Sequence, residues 1–286
     1  MTDAITLPAP AKVNLFLRVL AREDSGYHDL ETLFCRLALA DELTAERRPG
    51  TGVTIAVDGA DVGPAEENLA VRGALAALAL LRSPFAVHLE LNKRIPVGAG
   101  LGGGSSDAAT ALLAVNALAG NALPRHELLQ CAARLGADVA FCFSGAALAL
   151  GWGRGERLLA LPPLPQAPVL LLTPPAPVRT AEAYRWVDDA RQGAGRRGAV
   201  ALDLEALASW GSIARLAGND FESVVFARMP AVRSAFEALV ATRPLLCRMS
   251  GSGSTVFAVY RTASEREDAA MMLGRKHGRV TATETA

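Results

Sequence analysis

Apolar and polar residues alternate most cleanly between residues 11 and 20, with Val13, Leu15, Leu17 and Val19 on one face and Lys12, Asn14, Phe16 and Arg18 on the other. That period of two predicts a half-buried strand. Residues 53–57 and 86–91 predict two more strands, the second with Val87, Leu89 and Leu91 alternating with His88 and Glu90. Residues 68–81 and 106–119 are rich in alanine and leucine without internal proline, and residues 125–135 end at Gly136, so three helices are expected. The run PPLPQAP at 162–168 breaks all periodicity before a new strand begins at 169–172, which places a domain boundary there, between 1–161 and 162–286. Beyond it the pattern predicts a helix at 181–190, a Gly/Arg-rich loop at 193–198, helices at 202–210 and 229–242, a strand at 255–260 and a last helix at 265–277. Segregated strands and helices of this kind predict an α+β protein of two domains.

Charge narrows the function classes. Lysine plus arginine equals aspartate plus glutamate at 29 each, so there is no bulk positive field to hold a nucleic acid or an anionic membrane, and neither is expected as a partner. Cys35, Cys131, Cys142 and Cys247 lie far apart without a CxxC pair, which argues against a zinc ribbon or a disulfide framework and suits a cytoplasmic protein. No apolar stretch reaches the roughly 20 residues that span a bilayer.

The strongest chemical signal is Pro96-Val97-Gly98-Ala99-Gly100-Leu101-Gly102-Gly103-Gly104-Ser105-Ser106-Asp107, between a predicted strand and a predicted helix. Five glycines in the seven positions from Gly98 let the backbone approach a ligand closely, and the helix that follows aims free N–H groups at it. A phosphate chain is the natural occupant. Gly98, Gly100 and Gly103 satisfy GxGxxG, yet no acidic residue follows between Asp107 and Glu127, so the dinucleotide reading fails. A Walker A loop requires a lysine after its last glycine, and here Gly104 runs into Ser105 and Ser106.

What remains, a lysine-free PxGxGLGGGSS loop, resembles the central motif of the galacto-, homoserine, mevalonate and phosphomevalonate (GHMP) kinase superfamily. Pro10-Ala11-Lys12-Val13-Asn14-Leu15 resembles its N-terminal motif, and Met249-Ser250-Gly251-Ser252-Gly253-Ser254-Thr255 its C-terminal glycine motif. Gly26-Tyr27-His28 with Glu31-Thr32-Leu33-Phe34 is similar to the cytidine-binding segment of the superfamily's methylerythritol-pathway kinases, whose substrate carries a cytidine diphosphate. Leu135-Gly136-Ala137-Asp138-Val139 and Gly218-Asn219-Asp220-Phe221-Glu222 also match that branch, so the likeness spans nearly the whole chain.

The resemblance implies an N-terminal α/β domain with a left-handed βαβ unit, a C-terminal ferredoxin-like domain, and ATP-dependent phosphorylation of the 2-hydroxyl of a cytidylated methylerythritol. Lys12 and Asp138 map to the catalytic pair, the aspartate taking or orienting the hydroxyl proton and the ammonium offsetting charge on the phosphoryl group. Lys12 and Asn14 share one strand face about 7 Å apart. The substrate side maps to Asn14, Tyr27, His28, Thr180, Tyr184, Gly251, Ser252 and Gly253. Tyr27 and Tyr184 would stack on cytosine and His28 read its edge, although Arg179-Thr180-Ala181-Glu182-Ala183 departs from the family's more proline-rich pattern. Asn68 and Leu69 map to the adenine side, and Lys93 with the loop from Pro96 to Ser106 to the ATP phosphates. Lys93 and Arg94 read equally as a solvated pair after a strand.

Magnesium is implied with ATP; no acidic cluster has ligand spacing, so Ser105 or Ser106 is the candidate contact and Asp107 a first-turn residue favoured by the helix dipole. Ala140 stands where relatives carry proline, which predicts a looser turn around Asp138. A sister kinase of mevalonate or homoserine type, or a silent nucleotide or sugar sensor, are the competing readings. Tyr27 and His28 count against the first, and Lys12 with Asp138 against the second. A monomer or a homodimer is equally compatible with the sequence.

Overall fold

The structure, a computed structural model, describes residues 3–22, 24, 26–82, 84–191 and 202–286. The Gly/Arg-rich loop at 193–198 lies outside the described residues. Two compact units are each assembled from separated pieces of chain, one from Met1–Lys12, Leu39–Val97 and Gly102–Ala146, the other from Val13–Ala38, Gly98–Leu101 and Ala147–Ala286.

Two long paired strands open the chain, β1 (Ala4–Arg22) and β2 (His28–Arg48). Here the half-buried expectation for residues 11–20 is corrected. Lys12, Asn14, Phe16 and Arg18 are as buried as Val13, Leu15, Leu17 and Val19, all eight at 6% exposure or less. The polar face tolerates burial because each polar head has a partner: Lys12 the carboxylate of Asp138, Asn14 the hydroxyl of Thr32, and Arg18 the carboxylate of Glu31.

The first unit continues with β3 (Val53–Asp58), α1 (Leu69–Leu78) and β4 (Ala86–Asn92), a parallel βαβ in which Val53 lies opposite Val87. The second half of β2 pairs antiparallel with β4, Glu42 opposite Asn92. Then come α2 (Gly103–Leu118), α3 (Arg125–Leu135) and α4 (Ala137–Ser144). Their core joins Leu43, Val87, Leu89 and Leu91 to Ala74, Ala108, Leu112 and Val115. Small residues let α1 and α2 approach closely: a Cβ on Gly73 would fall 2.5 Å from the carbonyl oxygen of Ala108. α2 starts three residues ahead of the expected Ser106, because Gly102 in the left-handed region at φ 69° serves as its N-cap.

In the second unit β5 (Leu148–Gly153) pairs with the first half of β2, Leu30 opposite Gly153, and β6 (Arg157–Leu161) pairs with β5. There follow β7 (Pro168–Thr173), α5 (Thr180–Arg191), α6 (Trp210–Leu216), α7 (Phe221–Arg228), α8 (Pro230–Ala241), β8 (Leu246–Met249), β9 (Val256–Val259), α9 (Ala263–Leu273) and β10 (Arg279–Glu284). Four of these strands form an antiparallel sheet in the order β10-β7-β9-β8. With helices after β7 and after β9, that order is the ferredoxin-like arrangement.

The helix expected at 202–210 is absent. Residues 204–207 form turns, because the Asp203 carboxylate accepts the Ala206 N–H, and α6 starts only where the Ser209 hydroxyl accepts the Ser212 N–H. Among the described residues no helix is long and apolar enough to cross a membrane. Since Gly73 leaves no room for a methyl group, Gly73→Ala is expected to lower stability by roughly 1–3 kcal/mol through overpacking. Urea unfolding measures it, and an unchanged or raised midpoint would show that α1 and α2 have slack.

Candidate active site

The glycine-rich loop leaves β4 and enters α2, and an ion cluster in the first unit holds both of its ends. Lys93, at the end of β4, directs its ammonium to Asp41 on β2 and, at 2.7 Å, to Oδ2 of Asp107 on α2. The other oxygen of Asp41 accepts the backbone N–H groups of Arg94 and Ile95, the latter at 2.8 Å. All three side chains are buried, so Lys93 is no solvated surface residue. Two carboxylates against one ammonium leave the cluster short of positive charge. Burial, only partly offset by Lys93 and reinforced by Asp41, pushes the Asp107 carboxyl up to about 7. Gly103 lies over this cluster; a Cβ there would come within 3.2 Å of the Lys93 Nζ.

Lys12 and Asp138 meet in the same unit. The ammonium is 3.1 Å from Asp138 Oδ2, with Lys12 at 3% side-chain exposure and Asp138 at 35%, so the cation is enclosed while its carboxylate stays open. Gly102 packs on the stem of Lys12: a Cβ would fall 2.9 Å from its Cγ and 3.0 Å from its Cε. Asp138 sits in the first turn of α4, which sequence reasoning read as a turn. Ala140 tightens that segment rather than loosening it, because its N–H donates to the Gly136 carbonyl at 3.1 Å, a bond proline cannot make. Asn68 caps α1, its Oδ1 accepting the Ala70 N–H at 2.8 Å, and the side chain of Leu69 reaches toward Gly104. At the start of α2, Ser106 Oγ and Asp107 Oδ1 are buried without a hydrogen-bond partner among the described residues.

In the second unit Gly98–Leu101 is fastened to the C-terminal glycine motif. The Ser250 hydroxyl donates to the Gly100 carbonyl at 2.9 Å, and the Thr255 N–H donates to the Ala99 carbonyl at 3.2 Å. A Cβ on Gly100 would lie 2.2 Å from the Ser250 carbonyl oxygen, so no other residue fits there. The motif is shaped from below by Asn219, whose amide donates to the carbonyls of Met249 and Gly251 at 2.8 and 2.7 Å, and by Glu222, which accepts the Met249 N–H at 2.9 Å. Ser252 shares a 3.0 Å hydroxyl contact with Thr180, and Asn14 bonds Thr32 at 2.8 Å. Gly251 and Gly253 adopt positive φ in the same motif.

His28, expected to read the base edge, and Tyr184, expected as a stacking wall, come together in this unit. Their rings stack on each other, with centroids 4.7 Å apart at 17°, and the edge of Phe221 closes on Tyr184 at 4.9 Å. His28 Nε2 lies 2.6 Å from Asp188 Oδ1. Tyr27 is 59% exposed, with the Arg154 guanidinium 4.0 Å from its ring centroid. Asp41 and Asp188 are not singled out by the sequence, and Glu222 only as the last residue of the family-like segment Gly218–Glu222. Their partners are far along the chain, and the one local signal is an aspartate amid the apolar alternation around Asp41.

Comparison with known proteins follows the same lines. Residues 68–146 match the GHMP kinases N terminal domain and residues 199–279 match GHMP kinases C terminal. The 4-diphosphocytidyl-2-C-methyl-D-erythritol kinase of Geobacter sulfurreducens is 40% identical over 267 residues, covering 93% of this chain and 92% of that one. The enzyme of the same name from Moorella thermoacetica is 42% identical, covering 90% of each. A crystal structure of 4-(cytidine 5'-diphospho)-2C-methyl-D-erythritol kinase superposes with a TM-score of 0.80 at 36% identity, covering 99% of this chain and 100% of that chain.

The ion cluster makes stability depend on pH. Asp107 holds its proton in the folded chain up to about 7, whereas its ordinary value is 3.8. Between those values the unfolded chain has released a proton that the folded chain keeps, so this group's contribution is full at the acid end and lost as pH rises toward neutrality. Asp107→Asn is expected to flatten that decline when urea midpoints are compared across the range. The same slope in both proteins would show that Asp107 is already ionised when folded.

Proposed function

The chain belongs to the 4-diphosphocytidyl-2-C-methyl-D-erythritol kinases of the GHMP superfamily, and on that premise we propose how its residues divide the reaction. It is an ATP-dependent kinase of the methylerythritol phosphate route to isoprenoid precursors, transferring a phosphoryl group to a hydroxyl. The acceptor is the 2-hydroxyl of the cytidylated substrate. Asp138 takes the proton of that hydroxyl as its oxygen bonds to the γ-phosphorus and the bond to the bridging oxygen breaks, releasing ADP. Lys12 holds the carboxylate in place and offsets the charge on the transferring group. The observation that carries this assignment is the Lys12–Asp138 pair, a buried ammonium beside an open carboxylate, with the N-cap glycine of α2 packed on the lysine stem.

The α- to γ-phosphates lie along Gly98 to Ser106, received by main-chain N–H groups and the positive end of α2. Lys93 acts through the shape of that loop, since its ammonium is engaged by Asp41 and Asp107. Asn68 and Leu69 border the adenine. Magnesium suits the Ser106 hydroxyl, a buried oxygen lacking a hydrogen-bond partner among the described residues, and would supply charge neutralisation on the phosphates while keeping waters of its own. On the acceptor side Tyr27 stacks on the cytosine and His28 reads its edge. Asn14, Thr180 and the Gly251-Ser252-Gly253 turn supply polar contacts.

Asp138→Asn is expected to lower kcat by about 10²- to 10⁴-fold in a chain that still folds, since one positioned proton acceptor is lost, and to lower the urea midpoint because the enclosed Lys12 ammonium loses its carboxylate. Lys12→Ala should behave likewise. A coupled ADP-release assay on the cytidylated substrate, with mevalonate and homoserine as comparators, measures both. Near-wild-type turnover by either variant, or equal use of mevalonate, would contradict the assignment.

A further inference from the structure

His28 is fixed in more ways than ring stacking requires. A carboxylate oxygen only accepts hydrogen bonds, so the 2.6 Å contact with Asp188 Oδ1 places a proton on Nε2 of His28. In the neutral ring the lone pair is then on Nδ1, which has no hydrogen-bond partner among the described residues. Asp188 is anchored in turn, its Oδ2 lying 3.5 Å from Arg22 Nη1. It also follows Tyr184 by four positions on α5, so one helix face carries both the ring that sets the imidazole plane and the carboxylate that sets its proton. Phe221 braces Tyr184 from its edge.

We propose that Asp188 is a specificity-determining positioning residue: by holding the His28 proton on Nε2, it makes Nδ1 an acceptor suited to the exocyclic amino group of cytosine. Uracil carries a carbonyl oxygen at the same ring position, and two lone pairs would then face each other. The inference rests on the reading of His28 as the reader of the base edge. A site built around a buried hydrogen bond rejects the analogue that cannot make it, which is a stronger filter than ring shape.

The test compares kcat/KM for the cytidylated substrate and its uridine analogue in wild type, Asp188→Ala, the size-preserving Asp188→Asn, and His28→Ala. A ¹⁵N spectrum of the imidazole accompanies each Asp188 variant. The wild type is expected to prefer cytosine and show the Nε2-protonated ring. Losing the carboxylate should cut the cytosine-to-uracil ratio by about tenfold, mainly through KM, and give mixed tautomers. If both Asp188 variants keep the wild-type ratio while His28→Ala collapses it, base reading by His28 stands and the role of Asp188 is wrong. If His28→Ala also leaves the ratio unchanged, the reading of His28 fails and takes this inference with it. A wild-type enzyme that uses both bases equally overturns it outright.

Discussion

A single buried ammonium, that of Lys93, holds the geometry on which the glycine-rich loop depends. A run of glycines has no side chains with which to define its own path, so its shape must be imposed from outside. Asp41 and Asp107 do this by meeting Lys93, which joins the chain entering the loop to the first turn of the helix leaving it. Asp41 also binds the N–H groups of Arg94 and Ile95, so the approach to the loop is held by backbone as well as charge. Burying three ionisable groups is costly. The unfavourable share falls on Asp107, whose raised pKa reflects desolvation that one ammonium offsets only in part.

The second unit shapes its share of the loop by a different means. Gly98–Leu101 is held by hydroxyl and backbone hydrogen bonds from Ser250 and Thr255, and Gly100 faces a carbonyl at a distance that excludes any side chain. Asn219 and Glu222 hold the partner strand and turn in turn. Glycine motifs that stand some 150 residues apart in the sequence are therefore mutual templates.

Much of this was legible in the amino-acid sequence, and the gaps have physical causes. Strands β3, β4, β7 and β9 and helices α1, α2, α3, α5, α8 and α9 follow from local periodicity and capping. β2 escaped notice because its residues are buried on both faces around Leu33–Leu37 and lose the alternation that marks a half-covered strand. The alternation marks β1 as a strand but not its full burial, since the partners that let Lys12, Asn14 and Arg18 be buried come from elsewhere in the chain. The same reason hid Asp41 and Asp188, which lie 52 and 160 residues from Lys93 and His28. Residues 202–210 had helix-forming composition, but Asp203 and Ser209 satisfy local N–H groups through their side chains and divide the segment. Lys93, which its position before the loop assigns to ATP, is buried in the ion cluster with its ammonium engaged by Asp41 and Asp107.

On the proposed reading, main-chain amides from Gly98 to Ser106 receive the polyphosphate of ATP. Backbone ¹⁵N–¹H spectra of the full chain, titrated with magnesium and a non-hydrolysable ATP analogue, address it directly. The largest shifts are expected at the amides of Gly98 to Ser106, saturating together with the analogue. Saturable binding that leaves those amides unmoved and perturbs another region would contradict it.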